Sequence, residues 1–230
     1  MPSGDDVFSA FLSLVVHELR TPANVVGGYL RMLQRDAEAL GERQRKMVDE
    51  AERSCQRLVA IVAELSEIQK LDADIIQLVQ EPFDLFPLLQ RIVDDVKRRE
   101  EFEVGVELQG PSEGAPIRGD AARLESALSA ILRAVLRELP PSTSVVVNRQ
   151  IDARQKRSAV IAIAEKGVLA DAHKDSGIPF DEKRGGLGLA VPLARRIVER
   201  HGGSVFSPEG QGRSIAIVRL PLGESDRLNR

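Results

Sequence analysis

His17-Glu18-Leu19-Arg20-Thr21-Pro22 is the stretch on which the reading of this chain turns. It lies inside Phe8 to Leu33, where Phe8, Leu12, Val15, Val16, Leu19, Val26, Leu30 and Leu33 recur at helical spacing. Pro22 has no N–H to give the Glu18 carbonyl, and its ring crowds that carbonyl. The helix is therefore expected to bend one turn after the histidine. Thr21 lies four residues on and shares a face with His17. Glu18 can orient the imidazole or take its proton. A neutral imidazole beside a carboxylate is a good nucleophile near neutral pH.

Working outward, the helix extends to about Leu40, and Gly41 punctuates a turn. A second helix runs from Glu42 to about Leu71. Its apolar stripe is Met47, Val48, Ala51, Cys55, Leu58, Ile61, Val62, Leu65, Ile68 and Leu71, with the alternating spacing of a bundle seam. Two helices cannot bury such stripes on every side. Either a homodimer completes a four-helix bundle, or the hairpin packs on the rest of its own chain.

From Phe83 the pattern changes. Leu85 to Arg98 is an amphipathic helix, Phe102 to Gln109 alternates as a strand, and Pro111 to Pro116 is a loop. Asp120 to Leu139 is a strongly periodic helix. Ser144 to Ile151 and Ala159 to Ala164 form a hairpin joined by polar residues. Gly186 to His201 is a helix closed by Gly202-Gly203. Ser204 to Ser207 and Ser214 to Leu220 make a second hairpin. Helices set against a largely antiparallel sheet give an α+β class, an α/β sandwich following a helical hairpin. The expected layout is residues 1–72 for the hairpin, 73–82 for a linker, 83–222 for the sandwich and 223–230 for a tail.

Composition narrows the function. A net charge of −3 leaves no nucleic-acid footprint, and 3% aromatic residues give few stacking platforms. No apolar run approaches the ~20 residues of a membrane span. The acidic start shows no signal peptide. One cysteine, Cys55, permits no internal disulfide and fits core packing in a cytoplasmic protein. If Met1 is the native start, no sensor segment precedes the hairpin.

HELRTP resembles the phosphoacceptor motif of the sensor histidine kinases at every position. The resemblance implies that His17 carries a phosphoryl group and that Glu18 acts as acid or base in its transfer. It further implies that Thr21, in the family's E-x-x-T pattern with Glu18, serves dephosphorylation of a partner's aspartyl phosphate. It implies a dimeric four-helix bundle as well. The elements after Phe83 resemble the ATP-binding domain shared by histidine kinases, gyrase and Hsp90. In all, the likeness covers about residues 5–222.

The nucleotide motifs depart from that family. Gly185-Gly186-Leu187-Gly188-Leu189-Ala190 matches the second glycine box, with Arg184 in place of its first glycine. Asp120 to Leu124 anchors the asparagine helix, yet the two asparagine positions are Ala130 and Ala134. The second asparagine ligates magnesium in the family, and a methyl group cannot ligate a hard cation. Arg137 stands where the family often places a phosphate-contacting base. The first glycine box reads Glu165-Lys166-Gly167-Val168-Leu169, with a longer carboxylate and with Leu169 for a glycine. The phenylalanine-box helix has no counterpart. Bound ATP would thus rest on Glu165, Gly167, Gly186, Gly188 and Arg137. Weak or absent ATP binding is expected, with no metal ligand set. His173 has no ligating companion and reads as surface; His201 reads as a helix-end cation favoured by the dipole.

Three readings follow. One is a histidine phosphotransferase exchanging phosphate with a response regulator receiver domain, docked near Val16, Arg20 and the second helix. The second is a divergent autokinase using Mg–ATP. The third is a dimeric pseudokinase scaffold. None calls for nucleic acid or a membrane.

Overall fold

The computed structural model describes residues 4–36, 40–99, 102–152, 157–168, 177–180, 188–208 and 215–223. It has two compact units, Met1–Ile76 and Gln77–Arg230.

The first unit is a hairpin of α1 (Gly4–Arg35) and α2 (Glu42–Asp72). Pro22 lies inside α1 without ending it. The first helix stops five residues before the expected Leu40. Gly41 opens α2, and its N–H donates to the Gln44 side chain at 3.0 Å. Val16 and Ala23 of α1 and Val62 and Leu71 of α2 are buried. A Gln34–Asp49 hydrogen bond of 3.1 Å ties the two helices near the turn.

The second unit begins with β1 (Glu81–Asp84), antiparallel to β3 (Pro116–Gly119). Neither strand was expected: β1 takes the last two residues of the presumed linker, and β3 extends from the end of the presumed loop. The main sheet has the order β2-β4-β5-β8-β7-β6. Its strands are β2 (Gly105–Gln109), β4 (Ser144–Asp152), β5 (Ser158–Glu165), β6 (Gly177–Pro179), β7 (Ser204–Pro208) and β8 (Ala216–Pro221). Among the described residues only β2 and β4 pair in parallel. Both expected hairpins form, Val147 facing Ile163 in one and Val205 facing Val218 in the other. Strand β2 starts three residues later than alternation indicated, and β6 lies in a stretch for which no strand was expected. Ser214 falls outside the described residues.

Helices α3 (Leu85–Arg98), α4 (Ala121–Glu138) and α5 (Ala190–Arg200) pack on this sheet and α4 packs against α5. Strand β5 is buried along seven of its eight residues, so it has no polar alternation. Val160, Ala162, Ala164, Ile215 and Ile217 form an apolar cluster of their own, with Val168 and Phe206 against it.

The helix ends are tied by specific bonds. Asp84 caps α3 by accepting from Phe86 N–H at 3.0 Å, and it also accepts from Gly114 and Ala115. One carboxylate thereby satisfies three backbone donors. Arg149, 5% exposed on β4, donates to the Phe86 carbonyl at 2.8 Å and lies over the Phe86 ring. Burial pushes its guanidinium below its ordinary value, against the opposing charge of Asp84.

Helix α5 ends in a Schellman turn. Gly203 N–H reaches Val198 and Gly202 N–H reaches Glu199, with Gly202 at φ +73. His201 is more than a helix-end cation. Its Nε2 accepts from the Asp120 N–H at 2.9 Å, and its Nδ1 lies 2.6 Å from the Ile197 carbonyl. A carbonyl only accepts, so Nδ1 carries a proton and Nε2 presents its lone pair. The ring thus links the end of α5 to the start of α4. A Cβ on Gly119 would lie 2.4 Å from this ring, so glycine is required there.

Replacing His201 with Ala leaves the Asp120 N–H without its acceptor, with an expected loss of about 1–2 kcal/mol. Asp84→Ala removes an N-cap, leaves two further backbone donors without their acceptor, and is expected to cost about 2 kcal/mol. Urea denaturation of each variant beside the parent measures both.

Candidate functional site

Helix α1 places His17 and Glu18 on an open face. His17 Nδ1 lies 3.3 Å from Glu18 Oε1, and the side chains are 75% and 71% exposed. With Nδ1 donating to the carboxylate, Nε2 is left with its lone pair toward solvent. Thr21 is exposed one turn further along, and Arg20 is exposed beside it. This arrangement offers a nucleophile with a partner for its second nitrogen and with room for an approaching group. Val16 does not belong to such a surface: it is 4% exposed and packs inward. The docking region expected near Val16 would therefore present Arg20 rather than the Val16 side chain.

Around the same helix lie large exposed apolar side chains. Leu19, Val26 and Leu33 fall at seven-residue intervals. Phe11, Leu14, Val25, Tyr29 and Met32 flank the face of Thr21. The hairpin therefore shows far more apolar surface than a solvated helix pair needs.

In the second unit the motif residues are spread over three elements. Glu165 ends β5 and is exposed. Gly167 follows in a turn closed by a Val168 N–H to Glu165 carbonyl bond of 2.9 Å. Among the described residues nothing lies within 4 Å of a Cβ built on Gly167. The neighbouring Lys166 pairs with Glu107 at 2.9 Å. Hydrogen bonds from Gln109 and Lys166 hold the Glu107 carboxyl below its ordinary value. Arg137 is exposed in the last turn of α4. Gly188 has φ +67, two residues before α5. The helix begins at Ala190, four residues later than expected, and Leu189 at its N-cap provides no side-chain bond. Leu169, His173, Arg184, Gly185, Gly186, Leu187 and most of the segment where a phenylalanine box was sought lie outside the described residues. So does most of the expected tail.

The donor set does not fit a magnesium-bridged nucleotide. Ala130 is half-buried and Ala134 fully buried on α4, and both offer methyl groups where a hard cation needs oxygen. Among the described residues no three His, Cys, Asp or Glu side chains gather as a metal site.

One feature escaped sequence reading. Phe180 is 1% exposed, and its carbonyl accepts from Arg195 of α5 at 2.8 Å. The only signal was a single aromatic residue in an otherwise polar stretch.

Comparison with known proteins matches these two units to two family models. Residues 9–74 match the His Kinase A (phospho-acceptor) domain. Residues 119–224 match the histidine kinase-, DNA gyrase B- and HSP90-like ATPase. The chain is a two-component signalling core of the sensor histidine kinase type, with the phosphoacceptor and ATPase-like domains of that family. It is 26% identical to Sensor protein GacS of Pseudomonas syringae pv. syringae, over 95% of this chain and 26% of that protein. It is 28% identical to Sensor protein DivL of Caulobacter vibrioides, over 92% of this chain and 28% of that protein. The chain thus spans about a quarter of the length of these relatives. Its fold is similar to full-length ShkA in complex with AMPPNP (TM-score 0.67, 20% identity, 93% of this chain and 46% of that one). It is also similar to Acinetobacter baumannii histidine kinase AdeS (TM-score 0.57, 20% identity, 90% and 98%). Among the described residues no helix is long and apolar enough to cross a membrane.

Ala134→Asn places an amide in a fully buried position. The expected result is a loss of about 1–3 kcal/mol in thermal unfolding, with no recovery on adding Mg–ATP.

Proposed function

We propose that this chain passes phosphoryl groups between His17 and the aspartate of a response regulator receiver domain, with ATP use impaired. The observation that carries this is the contrast between its two units. An exposed, carboxylate-partnered His17 stands on an intact phosphoacceptor helix, whereas buried Ala134 occupies the metal-ligand position of the ATPase-like unit.

In the transfer, the Nε2 lone pair of His17 attacks the phosphorus of a receiver aspartyl phosphate. The P–N bond forms as the P–O bond to the aspartate breaks, and the electron pair leaves with the carboxylate. Nδ1 keeps its proton, and Glu18 offsets the positive charge that develops on the ring. Return to a second receiver is the same step reversed. Thr21, one turn from His17, is positioned for hydrolysis of a receiver's acyl phosphate with Glu18. The exposed Leu19, Val26 and Leu33 stripe supports a homodimeric four-helix bundle, since a second copy would cover it.

A second reading, a divergent autokinase, rests on the exposed Glu165 and the left-handed Gly188. It predicts saturable nucleotide binding. Under a third reading, a dimeric pseudokinase scaffold, His17 has no role.

The test is labelling with γ-labelled Mg–ATP, wild type beside His17→Ala, followed by a phosphorylated receiver domain as donor. No label from ATP and acid-labile label from the receiver, lost in His17→Ala, are expected. Label from ATP on the wild type alone would establish the autokinase. Absence of label from either donor would leave the scaffold.

A further inference from the structure

His201 stands where three elements meet. It closes α5, and its Nε2 accepts the N–H of Asp120, the N-cap of α4, at 2.9 Å. Its Nδ1–H donates to the Ile197 carbonyl at 2.6 Å. Gly119, the last residue of β3, lies so close to the ring that a side chain there would collide with it. The backbone therefore leaves the imidazole little room to turn aside.

Both ring nitrogens are engaged, and one protonation state serves both bonds. The neutral ring with its proton on Nδ1 donates to Ile197 and accepts from Asp120. A second proton on Nε2 would face the Asp120 N–H, donor against donor, and that bond would be lost.

The charges around the ring do not replace it. The Asp120 carboxylate caps α4 by accepting from the Arg123 N–H at 3.1 Å, and it pairs with the Arg123 guanidinium at 3.3 Å. On β3, Arg118 donates to the Gln80 carbonyl at 3.3 Å. On β8, Arg219 pairs with Asp152 at 3.1 Å. On α5 itself, Glu199 and Arg200 are exposed and opposite in sign. The dipole of α5 favours a cation at its end. That preference is weaker than the cost of leaving the N–H of buried Asp120 without an acceptor.

We propose that His201 is an acid-sensitive latch between α4 and α5. Neutral, it holds the start of one helix to the end of the other; protonated on Nε2, it releases them. Arg137 stands on the first of these helices and Gly188 just before the second, so the latch braces the frame of the nucleotide-motif positions. Its action is independent of whether His17 carries phosphate. An unfolded chain's histidine takes up a proton near pH ~6.5. The latch therefore contributes fully above that value and fades as the pH falls below it.

The experiment compares wild type with His201→Gln on the full chain. Glutamine sets an amide oxygen near the place of Nε2 and does not titrate. His17 and His173 are common to both proteins, so their titration cancels in the comparison. Hydrogen exchange read by mass spectrometry follows the peptide that carries the Asp120 amide at pH 7.5 and 5.5, corrected for the intrinsic pH dependence of exchange. Wild type is expected to lose protection about tenfold at the lower pH, the change that one pH unit below histidine's ordinary value permits. His201→Gln is expected to lose less than about twofold. Urea denaturation at the same two pH values is expected to show the same difference in the ratio of folded to unfolded protein. Equal losses in the two proteins overturn the latch. Should His201→Gln fail to fold, nitrogen-15 NMR of the wild-type imidazole decides. Asp120 protection lost as Nε2 takes its proton upholds the latch, and a protonated Nε2 beside a still-protected Asp120 amide overturns it.

Discussion

Helix α1 has one circumference to divide between packing on α2, an exposed apolar stripe and an exposed histidine. Val16 and Ala23 take the side that packs on α2. Leu19, Val26 and Leu33 take a neighbouring side, and His17 faces away from both. A straight helix of 3.6 residues per turn can keep these duties apart only if each follows its own repeat. Pro22 falls among exposed neighbours, where its missing N–H leaves a carbonyl that water can reach. The division explains why so much apolar surface stands open on a hairpin whose functional residue is polar.

The second unit keeps its architecture by bonds that owe nothing to a nucleotide. His201 joins α5 to the start of α4, Asp84 gathers three backbone donors, and Arg149 pins β4 to α3. None of these groups stands at a nucleotide-motif position. A domain built this way keeps its fold with alanine at positions 130 and 134. Alanine is the strongest helix former, and a methyl group at a buried position carries no desolvation cost. Alanine at positions 130 and 134 is thus compatible with a stable α4.

Periodicity made most of the fold legible. The long stripes of α2 and α4, and the continuous apolar run of β5, fall where the pattern placed them. The misses have local causes. β1 and β3 are four residues each, too short for alternation to register, and they exist because they pair with each other. β6 has three residues and depends on β7. Helix α5 begins late because Gly188 adopts a left-handed conformation, which periodicity does not report. Val16 belongs to the apolar stripe, and its burial turns it toward the interior of the hairpin.

By itself, the sequence determined the residue types on which the proposed function rests. They are legible as residue type at a given spacing: an imidazole beside a carboxylate, a methyl in place of an amide. The tertiary structure alone decided which atoms meet across the chain. The Asp120 N–H found its acceptor in His201, eighty-one residues away. Likewise, Gly27 and Cys55 shaped a cavity from two helices whose sequences show no sign of it. Such meetings depend on the packing of whole elements, and packing follows from the shape and volume of every side chain together rather than from any local pattern.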